Sequence, residues 1–193
     1  MKYYSFSSLG DKQNENYCFT IKTPDGGIDS YDLVAGFRLS DEYPDGIEEV
    51  TLSLDDKFHG LELASFIGNA CRMLAFRATA AQIITSINQA ETETVPFTLL
   101  NSKGKIHSKD YVFVNPVGCW DCISWKESHC ERDKEGDIES YDRLAFSKGK
   151  LVGAPHLFRV KHKTSLYLFS ETLVKALLDA GHTNLIFEDI EAV

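Results

Sequence analysis

Leu166-Tyr167-Leu168-Phe169-Ser170-Glu171-Thr172-Leu173-Val174-Lys175-Ala176-Leu177-Leu178-Asp179-Ala180-Gly181 is the stretch on which the fold turns. The first four residues read as an apolar strand. Ser170 then supplies a hydroxyl where a helix leaves its first amides without partners, and Glu171 puts a carboxylate in the first turn. Leu173, Val174, Leu177 and Leu178 recur at helical spacing on one face, and Gly181 is the stop. Leu185-Ile186-Phe187 resumes the chain as a strand. The same order occurs earlier in the chain. Met73-Leu74-Ala75-Phe76 reads as a strand, Thr79 as the cap of a helix carrying Ile83, Ile84 and Ile87 on one face, and Val95 to Leu100 as extended chain. Strand, capped helix, strand is the commonest unit of mixed proteins, so its recurrence describes architecture and does not establish a duplication.

Working outward, Tyr17-Cys18-Phe19-Thr20-Ile21, Val50-Thr51-Leu52-Ser53-Leu54, Asp110 to Pro116 and Leu157 to Val160 add further strands. Pro24-Asp25-Gly26-Gly27 forms a turn, not a phosphate loop. Glu127 to Arg143 carries charges of both signs and few apolar residues, and reads as an exposed excursion. The expected fold is α+β, with a mixed, largely antiparallel sheet and two main helices near residues 79–89 and 171–180. The length of 193 residues suits one globular unit, residues 1–193, with its natural seam at the Asn101-Ser102-Lys103-Gly104-Lys105 turn.

Charge narrows the possible partners. Twenty basic and 29 acidic residues leave a net charge of -9, a field that repels a phosphate backbone and favours a basic protein. Nucleic acid is therefore not an expected partner. Apolar stretches stop well short of a membrane span, and the first residues lack the apolar segment of a secretory signal. Five cysteines, an odd and scattered set, fit a reducing compartment, so the expected location is the cytoplasm.

Candidate chemistry centres on Cys119, Cys122, His129 and Cys130, because thiolates and imidazole are zinc's usual ligands. The adjacency of His129 and Cys130 makes a shared tetrahedral ion awkward, and separate reduced thiols are the simpler reading. A zinc module or enzyme built on these four residues stands as the alternative to a binding protein. There is no Gly-x-Ser-x-Gly elbow and no His-Glu-x-x-His, and the paired carboxylates Glu48-Glu49 and Asp55-Asp56 point to opposite sides of a strand. No catalytic residue and no cofactor follow from the sequence.

The second half of the chain carries an ordered series of short motifs. Tyr111-Val112-Phe113-Val114-Asn115 comes first, then Asp121-Cys122-Ile123-Ser124-Trp125-Lys126-Glu127-Ser128. Leu157-Phe158-Arg159, Leu168-Phe169-Ser170-Glu171-Thr172-Leu173 and Leu185-Ile186-Phe187-Glu188 follow. The series resembles family eleven of the immunity proteins of bacterial polymorphic toxin systems, over residues 107–190 and, more weakly, 71–88. Two positions depart from the family pattern: its second aspartate is Ser124 here, and the glycine often found before the last strand is Asn184. The resemblance implies a cytosolic protein that binds and neutralises a cognate toxin, nucleases being among the toxin types such proteins accompany, and that needs no catalysis to do so. It also implies that Asp121, Ser128 and Arg159 are structural, fixing a loop against a strand through hydrogen bonds.

If a toxin is the partner, the acidic run is where it is expected to bind. Asp41, Glu42, Asp45, Glu48 and Glu49 surround Tyr43, and no lysine, arginine or histidine occurs from Asp41 to Asp56. The carboxylates would steer a basic partner, and Tyr43 would serve as an aromatic anchor. The alternative reading of the same run is an exposed loop that serves only to keep the surface solvated.

Overall fold

The computed structural model describes all 193 residues. Ser170 is an N-cap: its backbone is extended and its hydroxyl accepts the Leu173 amide at 3.2 Å. The helix spans Glu171–Asp179, and Gly181 follows at φ 76, in the left-handed region where a side chain would be strained. Leu173, Val174 and Leu177 form the buried stripe, whereas Leu178 is 51% exposed and lies off it.

The earlier helix spans Ala78–Ile87, and Thr79 is not its cap. Arg77 holds that position with no side-chain bond, and Thr79 sits inside the first turn. The preceding strand, Ala75–Arg77, explains the shift, because the Arg77 amide is bonded to Ser65 O at 2.8 Å. Pairing of the strand decides where the helix begins, ahead of any capping side chain. Met73 and Leu74 lie outside that strand, yet both are buried.

Two sheets carry the fold. One has five strands in the order Phe187–Asp189, Tyr3–Phe6, Lys163–Ser170, Leu157–Val160, Cys119–Trp120. Only its last pairing is parallel. The other has four, in the order Val50–Ser53, Thr92–Leu100, Ile106–Pro116, Ala75–Arg77, and is parallel only at Val50–Ser53. The fold is α+β with mixed, mostly antiparallel sheets, as expected. Asn101 to Lys105 forms the hairpin turn inside the second sheet, where Asn101 Oδ1 accepts the Lys103 and Lys105 amides at 3.0 Å each.

Three apolar clusters fill the molecule. The largest lines one face of the four-stranded sheet, with Val95, Phe97, Leu99, Tyr111 and Phe113 packed against Leu33 and Leu39. A second joins both helices to both sheets, and Phe6 is its hub, its ring centroid 4.8 to 5.7 Å from those of Phe66, Phe76, Phe169 and Phe187. The third covers the other face of the five-stranded sheet with Cys122, Phe146, Phe158 and Leu168.

The structure departs from the sequence reading in three further places. The strand expected at Tyr17 to Ile21 shrinks to Phe19–Thr20, paired in parallel with Gly68–Asn69. The Glu127 to Arg143 excursion contains an antiparallel hairpin, His129–Arg132 with Ile138–Arg143, closed by Asp133 Oδ1 accepting the Glu135 and Asp137 amides at 2.9 Å. It is largely exposed, as its composition suggests, and Ile138 pins it to the third cluster. Two one-turn helices, Asp32–Ala35 and Leu39–Glu42, bring the helix number to four, beyond the two main ones expected.

Ser170→Ala removes both the cap and the partner of His156 Nδ1, which lies 2.7 Å from the hydroxyl. Urea denaturation is expected to show a loss of about 1–2 kcal/mol, with the unfolding slope unchanged.

Candidate functional site

The acidic segment is mounted on the fold by a chain of bonds that begins at Arg159. This side chain is fully buried in Leu157–Val160. Its guanidinium donates to Pro116 O (3.1 Å), Val34 O (3.0 Å), Leu33 O (2.8 Å), Asn115 Oδ1 (2.8 Å), the Tyr167 hydroxyl (2.5 Å) and Thr164 O (3.4 Å). All six acceptors are neutral, and together they tie the five-stranded sheet to the end of Ile106–Pro116 and to the Asp32–Ala35 turn. Gly36, at φ 85, is required here: a Cβ would lie 2.8 Å from Arg159 Cδ.

From Asn115 the chain of bonds continues outward. Asn115 Nδ2 donates to Phe37 O at 2.8 Å and to Glu93 Oε2 at 3.0 Å. Glu93 in turn accepts the Leu39 and Ser40 amides at 2.8 and 3.1 Å, supplying from another strand the carboxylate that caps Leu39–Glu42. Beyond this short helix, the Tyr43 hydroxyl donates to Asp32 Oδ2 at 2.5 Å and accepts the Asp29 amide at 2.9 Å. Partial burial and the bond to Asp32 both push the Tyr43 hydroxyl pKa up. Its ring packs against the largest cluster.

Glu48 and Glu49 rest on Gly26 and Gly27, where an added Cβ would come 2.3 Å from Glu49 O and 2.9 Å from Glu48 N. Between this segment and Thr92–Leu100 runs an open groove of about 850 Å³. Tyr43, Glu48 and Glu49 line it, together with Glu93, Pro96 and Lys109. Asp41, Glu42 and Asp45 are exposed but lie outside the lining, so the six residues singled out in the sequence do not form one wall. Asp41 stands 3.7 Å from Arg38, whose guanidinium is engaged by Glu91 at 2.5 Å and holds that carboxyl below its usual range. Sequence reading missed Glu93, Pro96 and Lys109. The alternation Glu91-Thr92-Glu93-Thr94 was the one available sign that Glu93 sits on a strand face.

The alternative chemistry finds no geometry. No group of three or more His, Cys, Asp or Glu side chains is gathered where a metal could be held. Cys122 is sealed inside the third cluster, where burial pushes its thiol pKa up to about 12, while Cys119 is exposed on the edge strand of the five-stranded sheet. Cys18 is likewise buried, with its thiol raised to about 11. No helix is long and apolar enough to cross a membrane.

Comparison with known proteins identifies a family. The sequence model of the Immunity protein family (Imm11) matches residues 71–192. No curated protein matches the chain. The matched span contains the motifs noted above, and their contacts are structural. The Ser128 hydroxyl donates to Ser124 O at 2.8 Å and accepts the Ala145 amide at 3.0 Å, and Asp121 pairs with Lys150 at 2.9 Å. Asn184 keeps the backbone of the glycine it replaces, at φ 60, and adds bonds from Asp11 N (2.6 Å) and to Phe66 O (2.8 Å).

Arg159→Lys retains the charge but not the fork that reaches six acceptors. Stability is expected to fall by about 3 kcal/mol or more, read by chemical denaturation, because buried carbonyls are left unpaired. Maleimide labelling near neutral pH is expected to modify Cys119 well before Cys18 and Cys122, which should react only on unfolding. The two buried thiols also set a pH dependence. Their pKa is raised from 9.0 in the folded state, so the stability they contribute is intact below pH 9.0 and falls as pH rises through about 11 and 12.

Proposed function

The chain belongs to the immunity protein family Imm11, and on that premise we propose that it neutralises a cognate protein toxin by one-to-one binding, without catalysing a reaction. The family match carries this reading. The acidic segment Asp41 to Glu49 supports a location for the interface, since it is exposed, held by Glu93 and Tyr43, and borders a groove with a single cation, Lys109, in its lining. A stable inhibitor covers roughly 800 Å² on its own side, more than the acidic turn alone supplies, so the contact would extend over the groove.

A partner suited to this surface is basic. A nuclease is one such toxin, because the positive groove that binds its phosphate backbone would be met by carboxylates. The net charge of -9 is unsuited to nucleic acid itself. The proposed place of action is the cytosol, where such a toxin would find its target.

The test uses the toxin domain encoded beside this gene, purified in an inactive form. Wild type is expected to form a one-to-one complex by calorimetry and to abolish the toxic activity on co-expression; absence of both sinks the reading. Replacing Asp41, Glu42, Asp45, Glu48 and Glu49 by their amides is expected to slow association on the order of tenfold at low salt and to flatten its salt dependence, with melting little changed. An association rate indifferent to all five changes would move the interface elsewhere. Tyr43→Phe keeps the ring and removes only the bonds to Asp32 and Asp29, so it probes how the segment is mounted, whereas Tyr43→Ala would also empty part of the core.

A further inference from the structure

The four-stranded sheet is incomplete along one edge. Val50–Ser53 pairs with Thr92–Leu100 only from Phe97 to Leu100. Before Val50 the chain turns aside, because Glu48 and Glu49 lie against Gly26 and Gly27 and Asp25 exchanges backbone bonds with Thr51 at 2.8 and 2.9 Å. Thr92 to Val95 is therefore flanked by a strand on one side only. The groove described above lies along the other side.

The ladder shows which backbone groups face that groove. Thr94 sits opposite Val114, but the Val114 amide goes the other way, to Leu74 O at 2.8 Å. Thr94 and Val114 are thus a non-bonded pair, and Thr94 turns both its amide and its carbonyl to the open edge. Two residues on, Pro96 has no amide to offer, and its carbonyl faces the Val50 amide where the parallel pairing begins. Proline is tolerated inside this strand because its missing donor would have faced the open edge.

We propose that this edge receives an extended segment of the protein partner carrying lysine or arginine, which adds to the sheet in line with Val50–Ser53. The inference rests on the toxin-binding reading and specifies how the partner engages. Charge selects the occupant. Glu48, Glu49 and Glu93 line the groove against one lysine, Lys109, which favours a basic strand and disfavours a second copy of this acidic chain. Strand addition draws affinity from main-chain bonds, and alternate side chains supply specificity. Pro96 shortens the free ladder, a usual guard against indiscriminate edge pairing.

Thr94→Pro removes the outward amide and leaves the bonds of Glu93 and Val95 to the neighbouring strand intact; Thr94→Val keeps the backbone and changes only the side chain. Against the same purified toxin domain, T94P is expected to weaken binding by about tenfold or more, and T94V by less than about twofold. In the wild-type complex, hydrogen exchange at the Thr94 amide is expected to slow by at least about tenfold, a measurement that decides the matter even if T94P does not fold. Equal binding by T94P and T94V, or an unprotected Thr94 amide in the complex, overturns strand addition while leaving toxin binding standing. Absence of any complex with wild type overturns both. A wild-type dimer in light scattering that T94P abolishes would assign the edge to self-pairing and overturn the proposal.

Discussion

The buried guanidinium of Arg159 is the constraint on which the arrangement depends. A charge removed from water is tolerated only when its donors are taken up, and here neutral oxygens from three segments do so. Each acceptor must hold its place, so one side chain sets the end of Ile106–Pro116, the carbonyls of the Asp32–Ala35 turn and the Tyr167 hydroxyl together. Burial alone would push the Tyr167 hydroxyl pKa up, and the adjacent guanidinium acts against that without reversing it. Asn115 and Glu93 then carry the constraint to the surface, which makes the acidic segment a mounted part of the fold rather than a loose loop.

How much of this was legible in the sequence varies with the range of the interaction. Ser170, Glu171 and Gly181 act on neighbouring backbone, so the helix they bound was readable residue by residue. Thr79 had the right chemistry in the wrong place, since the pairing of Arg77 with Ser65 is set by a contact outside the local sequence. The one-turn helices at residues 32–42 escaped notice because the capping carboxylate of the second belongs to Glu93. Mixed charge identified the Glu127 to Arg143 excursion as exposed but hid its hairpin, whose turn depends on Asp133 and whose buried anchor is Ile138.

The candidate site shows the same division. The acidic run was visible as composition, but composition does not say which carboxylates face a common space, and only Glu48 and Glu49 of the five line the groove. The opposite wall comes from Glu93 to Thr98, and no local pattern links the two. Arg159 was accessible only through the family resemblance, because a lone arginine in an apolar strand does not reveal its acceptors. Likewise, Cys122 stood beside Cys119 as a candidate zinc ligand until its depth in the third cluster was known.

Tyr3–Phe6 lies between Lys163–Ser170 and Phe187–Asp189, with Tyr3 opposite Ser170 and Phe6 opposite Phe187. This sets a strand made early among strands made long after it. At roughly 5–20 residues per second, the ribosome needs on the order of ten seconds to supply its neighbours, and for that time Phe6 lacks Phe169 and Phe187 as aromatic partners. The central apolar cluster therefore closes only once Phe187 has been synthesised, and until then a nascent chain holds part of that apolar surface open.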